Sequence, residues 1–291
     1  MRRLVLAAVA GVVALLCGRT AEAAGPFVDA PLTLPPLHFS ADVGLGFGTY
    51  QNYGPNPSDP TLPPVLQAGT QVGWGTNLEA AVGLPFVGEL GLRLGYRFGP
   101  QNAASEGTTV PAGALANADH FGRLFDPISS EPGVSAFANP EVRLRGTLFD
   151  LQTVQMGLET RAIIPTGDGA VFALTPGVPL RIHIPGFMRI DTGLYLPVAF
   201  FSTASYSLDI PAQAFFRVGD AFFGPMTGVR YNVFNDPQQP NTVDIPLGIA
   251  GGYTLGGRID LKVQLRTERI NDANWASQYL GGGFGVGLRM P

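Results

Sequence analysis

The stretch RIDLKVQLR, residues 258–266, alternates without a break: Arg258, Asp260, Lys262, Gln264 and Arg266 fall on one parity, and Ile259, Leu261, Val263 and Leu265 on the other. A period of two belongs to a β-strand, whose successive side chains point to opposite faces. In a water-soluble sheet the aliphatic parity would face a core. In a membrane barrel it would face lipid, and the charged parity would line the lumen. The other strands decide between these readings.

VGELGLRLGYRF (87–98) sets Glu89, Gly91, Arg93, Gly95 and Arg97 against Leu90, Leu92, Leu94, Tyr96 and Phe98. PEVRLRGTL (140–148), VQMGLETRAI (154–163) and FMRIDTGLYLPV (187–198) repeat the pattern. Twelve such strands are expected, at about 37–49, 70–84, 87–99, 137–148, 152–164, 171–184, 187–200, 206–218, 221–233, 242–255, 258–268 and 279–290. Each is close to or above the roughly 9 to 11 residues that a tilted membrane strand needs. The connections alternate long and short from first to last, with the short ones at Pro85-Phe86, Phe149 to Leu151, Pro185-Gly186, Asp220 and Gly256-Gly257. An outer-membrane barrel sorts its loops in this way, with short periplasmic turns and longer outside loops, whereas a Greek-key sandwich mixes them. The expectation is therefore an all-β, twelve-stranded antiparallel transmembrane β-barrel over residues 37–291. Its odd-numbered connections face outward, and aromatics including Phe149, Phe187, Phe200, Phe222 and Tyr231 form interfacial girdles.

The start of the chain reads as an address. Arg2 and Arg3 precede the apolar run Leu4–Leu16, and Ala21-Glu22-Ala23 supplies a small-x-small cleavage pattern, so residues 1–23 read as a signal peptide for export to the outer membrane. The single cysteine, Cys17, lies within it, which removes disulfides and thiol chemistry from the mature portion. Beyond Ala23 the formal charge is −6 and no basic run occurs, so nucleic acid is excluded as a partner. Residues 24–36, rich in proline, form an N-terminal segment that could fold inward as a plug.

With the apolar parity facing the bilayer, the candidate lumen lining is Glu89, Arg93, Arg97, Glu141, Arg143, Arg145, Glu159, Arg161, Arg189, Asp191, Arg258, Asp260, Lys262 and Arg266. Counted over all strands, thirteen bases and nine acids point inward, an excess of four positive charges, while Arg123 and Arg269 fall in loops. Pairing across Gly256-Gly257 is expected to set Gly252, Ala250, Gly248 and Pro246 beside Asp260, Lys262, Gln264 and Arg266. Around the closing seam the inward positions are glycines: Gly281, Gly283, Gly285, Gly287, Gly44, Gly46, Gly48, Gly73 and Gly75. Something must fill the space they leave: water, long arginines from the opposite wall, or the Pro-rich tail.

The run NPEVRLRGTLFD followed by a strand closing on IIPTGDG resembles the outer-membrane transporter families related to the phenol-degradation meta-pathway barrels, over roughly residues 138–201. That resemblance implies passage of small, often apolar or aromatic, compounds. His38-Phe39-Ser40 is similar to the His-x-Ser pair of outer-membrane phospholipases, but it begins the first strand near the periplasmic rim, where the phospholipase site lies in the outer leaflet. Asp42, Asp191, Asp209 and Asp244 lie on separate strands without metal-ligand spacing, so no cofactor or metal is implied. The expected function is passive passage of small solutes, not catalysis. The alternative is a blocked-lumen barrel with a structural or assembly role, and behind it a membrane-embedded lipid hydrolase.

Overall fold

The computed structural model describes residues 25–54, 65–85, 88–98, 123–126, 137–151, 153–165, 172–200, 205–233, 241–273, 276 and 280–291. The expected signal peptide, the loop Thr166 to Gly169 and the side chain of Arg97 lie outside the described residues.

The strands are β1 (Phe39–Gly54), β2 (Val65–Leu84), β3 (Gly88–Phe98), β4 (Phe137–Asp150), β5 (Val154–Ile163) and β6 (Ala173–Ile184). After them come β7 (Met188–Tyr195 with Val198–Ala199), β8 (Ser205–Val218), β9 (Ala221–Val233), β10 (Thr242–Asp244 with Leu247–Leu255), β11 (Ile259–Thr267) and β12 (Leu280–Met290). β7 and β10 are each interrupted beside a proline, Pro197 and Pro246, which has no N–H for the ladder. The polar groups freed there find partners: Ile245 N donates to Asn271 Oδ1 at 3.0 Å, and Pro246 O accepts from Thr227 Oγ1 at 3.0 Å.

Every strand pairs antiparallel with its sequence neighbour, and β1 pairs with β12 from Phe39↔Met290 to Gly48↔Gly281, which closes the barrel. β1 and β2 run past their expected ends at 49 and 70, to Gly54 and Val65, with a register shift between Gln51 and Tyr53.

Burial alternates as the residue parity requires. In β9, Phe222, Gly224, Met226 and Gly228 are buried while Phe223, Pro225, Thr227 and Val229 are exposed. The exposed parity carries Leu90, Leu92, Leu261, Val263 and Phe284, a belt of large apolar side chains that a bilayer covers.

Three expectations are corrected. The β10–β11 turn takes three residues, Gly256 to Arg258, with both glycines at positive φ, so the register moves by two: Thr254↔Asp260, Gly252↔Lys262 and Gly248↔Arg266. A slip of two keeps every side chain on its face, where a slip of one would reverse them all. Arg258 stands exposed in that turn instead of on the inner wall. Phe222, expected in an interfacial girdle, points inward and is 2 % exposed.

Candidate functional site

The interior divides into a charged wall, a glycine wall and two inserted segments. Acids and guanidiniums from the same or nearby strands interlock, most densely on the charged wall. Arg143 contacts Glu79 at 2.8 Å and Glu89 at 2.9 Å. Glu159 pairs with both Arg145 and Arg161, the latter at 2.6 Å. Asp191 receives Arg181 at 2.6 Å and Arg189 at 3.0 Å, and Asp260 pairs with Arg289 at 2.9 Å. Carboxylates shared between guanidiniums offset part of the desolvation that buried charges suffer.

Among the candidate lining residues, Glu89, Arg93, Glu141, Glu159, Arg161, Arg189, Asp260 and Arg266 are buried inside the barrel. Arg143, Arg145, Asp191 and Lys262 are partly accessible there, with Lys262 paired to Asp42.

The first inserted segment is the Pro-rich tail. A single 3-10 turn, Phe27–Asp29, lies inside the barrel and buries Phe27 and Val28, and the chain then bends at Leu32 and turns at Pro36-Leu37 before entering β1. Proline suits this path because a segment outside any sheet has no ladder for its N–H groups to join. Its carbonyls are taken by guanidiniums: Arg189 donates to Phe27 O at 2.6 Å, Arg181 to Ala30 O at 2.8 Å and Pro31 O at 2.5 Å, and Arg145 to Leu32 O at 2.9 Å. Its few donors are used as well, with Leu32 N on Gln155 at 2.8 Å and Leu34 N on Glu89 at 2.9 Å. Where the tail leaves the lumen it crosses Gly83 so closely that a Cβ there would collide with the Pro35 carbonyl.

Asp29 anchors the turn. Its carboxylate accepts from Gly186 N at 2.9 Å, meets His183 Nε2 at 3.0 Å and pairs with Arg217 at 2.8 Å. Burial raises this carboxyl, but the Gly186 N–H, His183 and Arg217 outweigh it and hold the group below the ordinary carboxylate range.

The second segment is RLFD, residues 123–126, from the long connection between β3 and β4. The sequence places Arg123 in an outside loop, whereas here it is 5 % exposed within the barrel and donates to Glu141 at 2.9 Å. Asp126 meets Arg161 at 2.8 Å, and Phe125 N donates to Gln264 at 3.0 Å. Leu124 lies against the glycine seam at Gly285, where a Cβ would strike it, and a Cβ on Gly287 would strike Asp42 and Lys262. At Gly285 the seam is thus met by a loop that the sequence places outside the barrel, and at Gly287 by a charged pair of the wall itself. The available signal was the glycine row itself, which requires a filler.

The two segments meet in an aromatic cluster. Phe27 stacks on Phe222 with centroids 4.4 Å apart and lies 5.4 Å from Phe125, which sits 5.0 Å from Phe215. The Arg189 guanidinium covers the Phe27 ring at 3.9 Å. Beside this cluster lies a cavity of about 190 Å³ lined by charged groups including Arg143, Arg181, Asp191 and Lys262 and by apolar ones including Leu32, Leu124 and Pro179. Asp29, Asp126 and Glu268, absent from the expected lining, all pair with inward bases, so the interior is closer to neutral than the sequence suggests. Among the described residues no group of three or more His, Cys, Asp or Glu side chains is placed to hold a metal ion.

Solved structures share this architecture. The NanC porin superposes with a TM-score of 0.52 at 8 % identity, covering 86 % of this chain and 99 % of its own. An outer-membrane channel from Pseudomonas putida F1 gives a TM-score of 0.58 at 10 % identity, covering 89 % of this chain and 97 % of its own. No family model and no curated protein matches the sequence. The likeness is therefore one of fold. The chain is a twelve-stranded antiparallel β-barrel whose fold resembles that of porin-like outer-membrane channels.

Proposed function

We propose that this protein is an outer-membrane channel for small solutes, held shut at rest by the tail and the RLFD segment together. The meeting of Phe27 with Phe125 carries the reading: two separate pieces of chain, neither part of the wall, close the lumen by touching each other. Twelve strands lie between the eight whose interior side chains fill and the sixteen that leave an aqueous channel, so a barrel of this size can be closed by few added residues. The resemblance of residues 138–201 to the phenol-degradation barrels favours solutes with an apolar body. The lining would then comprise the inward charged residues named above, apart from Arg258.

The test uses Thr33 and Thr147, whose hydroxyl oxygens are 2.8 Å apart between tail and wall. In a full chain carrying Cys17→Ser, Thr33→Cys and Thr147→Cys, the oxidised protein should be silent in planar bilayers and should conduct after reduction. Silence in both states, and also after deletion of residues 25–36, would favour the blocked-lumen alternative. That alternative draws on the density of ion pairs inside the barrel.

A further inference from the structure

We infer that Arg145, Arg181 and Arg189 form an oxyanion site for a small organic carboxylate, and that the tail carbonyls occupy this site until such a ligand displaces them. The inference rests on the channel reading and names its ligand class. The three guanidiniums stand on β4, β6 and β7, with β5 between the first two, and border the cavity. Their carboxylate partners are shared: Asp191 serves both Arg181 and Arg189, and Glu159 serves both Arg145 and Arg161. Donors left over are met by the four main-chain oxygens of Phe27, Ala30, Pro31 and Leu32.

Those oxygens are neutral acceptors in positions suited to charged ones. A hydrogen bond between two ionised groups is shorter and stronger than one to a neutral carbonyl, and a guanidinium fork matches a carboxylate in two-pronged geometry. An anion entering the cavity therefore has a better claim on the same N–H groups than the tail has. The cavity also offers an apolar side, with Leu32, Leu124 and Pro179 bordering its space. A short aliphatic chain bearing one carboxylate suits both halves. Its binding would free Phe27 O first, because Arg189 holds that carbonyl while also lying over the Phe27 ring.

The experiment follows release of the tail through Val28, which is 1 % exposed in the closed barrel. In the full chain carrying Cys17→Ser and Val28→Cys, the rate of maleimide labelling is measured with butyrate, with butyramide, and with chloride at matched ionic strength. Butyrate should accelerate labelling roughly tenfold at saturation, which corresponds to about 1.4 kcal/mol of differential affinity for the released state. Butyramide and chloride should leave the rate unchanged. Arg181→Gln should abolish the butyrate response. If that variant fails to refold, Arg181→Lys, which keeps the charge and loses the fork, should still weaken it. Equal acceleration by butyrate and butyramide, or by chloride, would overturn the carboxylate site. Conductance of the same protein separates the two readings. A butyrate response in a barrel that never conducts upholds the site and sinks the channel, and conduction without a butyrate response does the reverse.

Discussion

The two sides of the lumen are built on opposite plans. From β4 to β7 the inner face is a lattice of carboxylates and guanidiniums, with Arg145, Arg161, Arg181 and Arg189 all buried or nearly so. Across β12 and β1 much of it is bare backbone, Gly44 facing Gly285, Gly46 facing Gly283 and Gly48 facing Gly281, with charged groups at Asp42 and Arg289 toward one end. Each plan selects its filler. The charged wall takes hold of a segment by its main-chain carbonyls, whereas the glycine wall admits an apolar side chain, Leu124, by shape. Directional hydrogen bonds can be exchanged for those of a solute, but a steric fit yields only when the wall or its filler changes.

The comparison is broken most severely at Glu141. This carboxylate accepts from Arg123 at 2.9 Å and lies 3.7 Å from both Arg93 and Arg161, so it joins the loop segment to the charged wall. Glu141→Gln preserves shape but leaves buried guanidiniums uncompensated, and should cost about 3 to 5 kcal/mol in a urea titration of folding into lipid vesicles. A loss below about 1 kcal/mol would mean that Asp126 alone balances the cluster.

A smaller effect is expected on the glycine wall. Gly285→Ala places a methyl group against Leu124 and the Val43 carbonyl, and overpacking of this kind costs roughly 1 to 3 kcal/mol. Because one of the two clashes falls on the loop filler, that part of the strain should be relieved by displacement of RLFD. Bilayer recordings should then show higher open probability than wild type with the tail still docked. The double variant Gly285→Ala with Leu124→Ala should recover stability, because the added methyl and the removed branch face each other. Failure to recover would place the strain at Val43 instead.

Much of this division was legible in the sequence. Glu89, Arg93, Glu141, Arg161 and Lys262 stand on strict alternations, so their common side followed from period alone. The glycine row was equally visible, because Gly281, Gly283, Gly285 and Gly287 share one parity. RLFD was not legible. Four residues carry no period, and what draws them inward is a set of partners, Glu141, Arg161 and Gln264, on three other strands. Arg258 was misplaced for a related reason. Alternation continues past the strand end into a turn whose length depends on two glycines at positive φ, and hydrophobic pattern does not report φ. Phe222 followed the inward parity, but aromatic type at a strand end suggested the membrane interface, and contact with Phe27 decided otherwise.

The smallest expected effect sharpens the contrast between an exchangeable grip and a fixed fit. Asp29 ties the tail turn to Gly186, His183 and Arg217, and its carboxyl is held below the ordinary range when docked. For a carboxylate whose docked pKa is depressed, the contribution to docking is fully present above the free value of about 3.9 and is lost as pH falls through the lower docked value. Asp29 is partly accessible, so solvent screens the pairing and the effect on open probability should be only severalfold. Wild-type barrels should open progressively as pH is lowered below about 4. Asp29→Asn should already be partly open at neutral pH, should lose much of that acid step, and should keep Leu124 on the glycine wall. An acid response of equal size in wild type and Asp29→Asn would assign the titration to the ion pairs of the charged wall, and the tail anchor would then have no part in it.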